Sequence, residues 1–274
     1  MSNHFAAVGF KLEGNDDVPF LVEQTAEKGA QIDFSGGTLF RWVANVDENA
    51  GEEIVLLLDN KRNLRGLAPH FTGSTRVEVA ITSAFPDAEG FWEGGFYAWM
   101  NPPTDNLESG DYPFVFDVGD FWIVNKKLRL PQVVEVQIAA FAHEIKFFDS
   151  EVEYSNSQEG ETQFAPNFFI PSGLFVGEGG GAPQPYALFA GTILQYRQRT
   201  NATTSQTFHH FEVETLGGVF DVVAENELVA QSEQTPCIGG ILSGEFWMSG
   251  RVLDLENQPI IEEPPAKKKR FGLF

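Results

Sequence analysis

Five histidines, one cysteine and a few glycine-rich stretches carry most of the chemical options of this sequence. His143-Glu144 opens like the zinc motif H-E-x-x-H, in which two imidazoles share one helix face, but Phe147 stands at the second ligand position. His209 and His210 are adjacent, so in a strand they point to opposite faces and cannot share one ion. A protein metal site needs three or four converging ligands, and no metal is expected here. Asp105–Asp111 is acidic with Gly110 at the sixth loop position, yet Leu107 replaces the oxygen ligand that a calcium loop needs at the third. Asp117 and Asp120, around Gly119, offer at most a weak cation site.

Nucleotide and nucleophile chemistry fares no better. Gly177-x-Gly179-x-x-Ala182 matches a loose dinucleotide fingerprint, but Pro183 and Pro185 follow where a helix N-terminus should face the pyrophosphate. There is no G-x-x-x-x-G-K-[ST] loop and no G-x-S-x-G elbow. Cys237 has no basic neighbour in sequence to activate its thiol. With 39 acidic residues, a pair of catalytic carboxylates can always be imagined and therefore says little. No catalytic residue and no cofactor is expected from motifs.

What remains is contact chemistry. In the last apolar run Trp247 lies opposite Phe246 and Met248, beside Glu245, Ser249 and Arg251. Such an indole either stacks on a base or partner, or packs under the N-terminal half. Near the end of the sequence, Glu262-Glu263-Pro264-Pro265-Ala266 leads into Lys267-Lys268-Lys269-Arg270 and Phe271-Gly272-Leu273-Phe274. A basic cluster followed by apolar side chains suits an acidic rim around an apolar pocket; the alternative is a solvated tail. The expected partner-contact residues are Trp247, Arg251, Lys267, Lys268, Lys269, Arg270, Phe271, Leu273 and Phe274.

Net charge is -21, and those four basic residues leave 14 others against 39 acidic ones. So negative a body repels phosphate backbones. The first expectation is a non-enzymatic binding or adaptor protein acting through protein–protein contacts. The second is single-stranded nucleic-acid binding by the C-terminal part. The third is an enzyme with an unrecognised carboxylate or histidine site, with His70 or His143 beside an acid.

These residues must be positioned mainly by strands. Val77, Val79 and Ile81 alternate, as do Val134, Val136, Ile138 and Ala140 opposite Glu135 and Gln137. Further strand-like runs are Leu39–Val46, Ile54–Leu58, Phe91–Met100, Tyr112–Val118, Phe121–Val124 and Ile145–Tyr154. One early helix is expected, with Asp16 or Asp17 capping, Pro19 in its first turn, a stripe of Val18, Leu21, Val22 and Ala26, and Gly29 at its end. A second, short helix is expected over Glu225–Ser232. No exact internal repeat is visible.

The fold expectation is mainly β in two domains. Residues 1–176 form a β-barrel or sandwich with one packed helix, 177–185 a Gly/Pro linker, 186–256 a small barrel and 257–274 an extended tail. In the smaller domain a bent strand over 187–196, a hairpin at Gly217-Gly218, a short helix and a final strand over Ile241–Leu253 resemble a Greek-key barrel of the OB type. No apolar run reaches membrane-spanning length, no secretory leader is evident, and no disulfide is possible with one cysteine, so a cytoplasmic protein is expected.

Overall fold

The structure, a computed structural model, describes residues 4–14, 16–45, 50–86, 94–159, 163–174, 183–253 and 255. It is mainly β. Helix α1 (Asp17–Lys28) is followed by strands β1 (Ala30–Phe34), β2 (Gly37–Val43), β3 (Gly51–Asp59) and β4 (Leu64–Thr72), an antiparallel meander in sequence order. Leu21 of α1 is buried and Val22 and Ala26 pack on Phe40, Leu56 and Leu58. The Asp17 carboxylate accepts from the amides of Glu13 and Gly14 upstream rather than capping the helix. Every position of β3 is buried. Alternate residues serve two faces: Leu56 and Leu58 face α1, while Glu53, Val55 and Leu57 turn toward the second sheet.

That second sheet is built from β5 (Val77–Pro86), β6 (Gly94–Met100), β7 (Pro113–Asp117), helix α2 (Phe121–Lys127), β8 (Gln132–Phe148), helix α3 (Glu151–Ser157), β9 (Phe169–Ile170), β10 (Tyr186–Thr200), β11 (Thr207–Thr215), β12 (Gly218–Glu225), helix α4 (Asn226–Ala230) and β13 (Ile241–Val252). Its strand order is β11-β12-β8-β5-β6-β7-β13-β10-β9, with further pairings of β11 to β10 and β8 to β13. Those two extra ladders close two rings. One runs β5-β6-β7-β13-β8 and the other β10-β11-β12-β8-β13.

The long antiparallel ladder of β8 and β13 belongs to both rings. Each ring takes three meandering strands, a helix and a fourth strand from one stretch of chain, and borrows the fourth strand of the other stretch as its fifth. The register repeats too. Val77 opposite Val136 in the first ring corresponds to Ala187 opposite Phe246 in the second. Asp117 beside Ser249, in the parallel pairing of β7 and β13, corresponds to Asp221 beside Ala139 in the parallel pairing of β12 and β8. The halves are thus related by an approximate twofold axis through the shared ladder, a repeat of backbone path with little repeat of sequence.

One apolar cluster runs through both rings, taking Val77, Phe96, Phe114, Phe116 and Val136 from one side and Phe189, Phe211, Phe220, Phe246 and Met248 from the other. Stacked Phe189 and Phe246 have ring centroids 3.9 Å apart. Each such buried ring contributes about 2–3 kcal/mol by leaving water. Strands from before and after residues 177–185 belong to one sheet, since β8 precedes that stretch and pairs with β12 and β13 beyond it.

Three local expectations are corrected. Phe121–Val124 opens α2 instead of forming a strand: Phe121 and Val124 face the core, and Lys126 and Lys127 end the helix where cations suit its dipole. Ile145–Tyr154 divides, with β8 ending at Phe148 and α3 starting behind Ser150, whose hydroxyl accepts from the Glu153 amide at 3.2 Å. The hairpin turn is Leu216-Gly217, because Thr215 pairs with Gly218. No helix of the described residues is long and apolar enough to cross a membrane.

Candidate functional site

The outer face of the shared ladder is the floor of the site. Trp247, Ser249 and Arg251 alternate there on β13, opposite Phe141, Ala139 and Gln137 of β8. Sheet one lies across this face. It closes tightly on the ladder near Asp221 and stands off it near Asp117, leaving a cavity of about 380 Å³. The walls are Val55 and Leu57 of β3, Gly66–Pro69 of β4, Phe85, Val118, Gly119, Pro183, Pro185 and Phe5. The polar groups reaching it come from His4, Asp117 and Ser249.

Trp247 is held on three sides. Its Nε1 donates to the Asp117 Oδ2 at 2.8 Å. The His4 ring stacks on it at 4.0 Å, nearly parallel, and Phe141 tilts against it at 5.1 Å. Only 8% of the residue is exposed, and that part faces the cavity. His4 also meets His143 at 2.7 Å, and burial followed by the neighbouring imidazole lowers its pKa to about 4.

Behind Ser249 runs a buried chain of hydrogen bonds. Gln137 fixes its direction: its amide Nε2 donates to Asp221 Oδ2 at 2.9 Å, so its Oε1 accepts from His70 Nε2 at 2.8 Å. His70 Nδ1 then accepts from the Ser249 hydroxyl at 2.8 Å. Asp221 also accepts from Thr75 Oγ1 at 2.6 Å and meets His210 Nε2 at 2.8 Å. This places a serine against an imidazole, with an amide and a carboxylate behind it. Burial, with the Arg251 charge next, lowers the His70 pKa to about 4, so at neutral pH it is a weak base for drawing a proton from serine. The chain clamps sheet one to the ladder.

A charge network sits beside it. The Glu53 carboxylate binds the guanidinium of Arg251 and lies 3.1 Å from Arg41, which in turn holds Asp120. Burial pushes the Glu53 carboxyl up, but Arg251, Arg41, His70 and the Thr72 hydroxyl outweigh it and hold the pKa at about 2. Arg251, expected at a partner surface, is engaged inside the protein with Glu53 and, at 3.1 Å, with Thr72. Lys267, Lys268, Lys269, Arg270, Phe271, Leu273 and Phe274 lie outside the described residues. Of Asp117 and Asp120, one holds Trp247 and the other Arg41. Among the described residues no three His, Cys, Asp or Glu converge as metal ligands.

A second cavity, about 680 Å³, opens between the end of β8, α3 and the chain after α4, with Glu144, Lys146, Glu153 and Glu233 on its walls. It is the more polar of the two, whereas the first has apolar walls and a single indole–carboxylate pair, the form usual for ligand pockets.

Comparison with family models, with curated proteins and with solved structures found no match to this chain. Sequence reasoning found Trp247 and the alternation that puts Ser249 and Arg251 on its face. It named His70 only as a histidine to be found beside an acid, and it missed the groups around it, Gln137, Glu53 and Asp221. Each came into view only when strands far apart in sequence were paired.

Proposed function

We propose that this chain is a non-enzymatic binding protein that acts through protein–protein contacts. The cavity over Trp247 receives an apolar side chain of the partner. The observation that carries this reading is the cavity itself: about 380 Å³, apolar walls, and an indole fixed in place at its floor. A rigid pocket that accepts one anchor side chain is the usual centre of a protein contact. Free Cys237 is consistent with a reducing compartment such as the cytoplasm.

The test is a peptide panel with single aromatic or aliphatic anchors, read by isothermal titration. Ala68→Phe, which fills the cavity from β4, should abolish binding while leaving the thermal midpoint nearly unchanged. Binding that survives this substitution would exclude the cavity.

The strand order favours a second reading. A meander of three strands, a helix, a fourth strand, and a fifth strand between the third and fourth is the order expected of an OB-like barrel, and each ring has this order with its fifth strand taken from the other half, which supports the reading. In the first barrel the face used by OB proteins carries Tyr97 and Trp99, with Phe85 edge-on to Tyr97 at 5.3 Å. Glu78 and Glu135, paired across β5 and β8, oppose a phosphate backbone. Oligonucleotide affinity at low salt, weakened by Trp99→Ala or Trp247→Ala, would support this reading; no binding at low salt would end it.

A further inference from the structure

We infer that the occupant of the cavity over Trp247 is the chain's own segment Lys267–Phe274, seated within the same molecule. The inference rests on the binding reading above: without a partner, the segment fills the cavity that the partner's anchor side chain would otherwise enter.

Position supports it. The Leu255 carbonyl accepts from Lys127 Nζ at 2.8 Å, which fixes the outgoing chain at the C-terminal end of α2. The other end of α2 follows directly on Val118 and Gly119, which form a wall of the cavity. A seven-residue helix spans about 10 Å. Sixteen residue steps separate Leu255 from Phe271, enough for roughly 50 Å of extended chain at about 3.1 Å each. The segment therefore reaches the cavity with slack.

Charge supports it independently. Glu245 precedes Trp247 by two residues on β13 and pairs directly with Glu144 of β8. Two carboxylates opposite one another on a sheet repel, and a cation placed between them removes the penalty. Glu245 and Asp117 both bear on Tyr186, which follows the cavity residue Pro185. Asp117 thus bonds the indole, and Glu245 stands two residues along the same strand. Lys267–Arg270 supply four cations immediately before Phe271, Leu273 and Phe274. A basic run over the paired glutamates would put those apolar side chains over the cavity mouth.

The experiment uses the full chain with Cys237→Ser and Ala68→Cys, whose new thiol lines the cavity. Its labelling rate by a small aromatic disulfide is compared with that of the same protein also carrying Phe271→Ser, Leu273→Ser and Phe274→Ser. An intramolecular segment acts at an effective concentration on the order of millimolar, so labelling should be about tenfold slower with the native segment, at every protein concentration. Added salt should erode the difference. Equal rates would overturn the inference. So would protection that grows with protein concentration, which would assign the cavity to the segment of a second copy. A synthetic peptide of residues 264–274 added to the serine variant separates the two readings. If the peptide protects the thiol while the native segment does not, the inference fails and the binding reading stands.

Discussion

The Trp247 indole and the Asp117 carboxylate meet at 2.8 Å at the point where β13 passes from β10 to β7. Their counterparts across the approximate twofold are Gln137 and Asp221, bonded at 2.9 Å. In each half, a donor on the outer face of the shared ladder holds the aspartate of the third strand. One copy of this contact is covered by Gly73–Thr75, and the other borders the cavity.

Trp247→Phe keeps the apolar body of the floor and removes the donor. The expected loss is about 1–2 kcal/mol in urea unfolding, because a hydrogen bond to a charged acceptor is removed. Asp117→Asn keeps an acceptor and should cost less. If the phenylalanine variant is as stable as wild type, the indole–carboxylate bond contributes nothing to the fold.

The individual strands were legible because a half-buried strand writes period two into its side chains. Val134, Val136, Ile138 and Ala140 did face the core. Gln137 looked solvent-facing by the same rule, yet it is 1% exposed because sheet one covers that side of the ladder, and no local pattern announces a second layer. Phe121–Val124 misled because a four-residue apolar run fits either period. The partners of Ser249 and Trp247 come from β4, β7, β8 and the segment around His4, so the site had no signature in any one stretch. The repeat stayed hidden because the halves share path and register while Trp247 corresponds to Gln137 and Ser249 to Ala139.

Gly73 is required by the covered copy of that contact. A Cβ at this position would lie 2.0 Å from the Asp221 carboxylate, which is fully buried and cannot swing away without releasing Thr75, Gln137 and His210. Gly73→Ala should cost about 2–4 kcal/mol. In an Asp221→Ala background the same substitution should cost far less, so a double-mutant cycle on chemical denaturation measures the clash. Additive losses would show that Gly73 and Asp221 do not compete for space.

Acid should loosen the seam between the sheets. Facing His70 are Ser249, Gln137, Glu53, Arg251 and Arg41. Its pKa falls from 6.5 unfolded to about 4 folded. Between those values the unfolded chain binds more protons, so stability is fully present above pH 6.5 and is lost as pH falls toward 4. The whole effect is about 3 kcal/mol. Glu53, held near 2 against an ordinary 4.5, extends the loss below pH 4.5. In His70→Gln the slope between pH 6.5 and 4 should fall to the share of the remaining histidines, His4 first among them with a pKa also lowered to about 4, while the slope below 4.5 persists. An unchanged slope between 6.5 and 4 would assign that acid sensitivity to other groups.

The shared ladder sets how the chain can be divided. Without β8, the ring of β10, β11, β12 and β13 opens between β12 and β13 and exposes two unpaired edges and the phenylalanines behind them. Without β13, the first ring opens between β7 and β8 in the same way. Residues 1–176 and 177–274 expressed separately should therefore show no cooperative thermal transition, and co-expression should restore one. The intact chain should melt in a single step, with tryptophan fluorescence and far-UV circular dichroism coinciding. A cooperative melt from residues 177–274 alone would mean that the second ring closes without its borrowed strand, and that the register of β8 against β12 and β13 is dispensable.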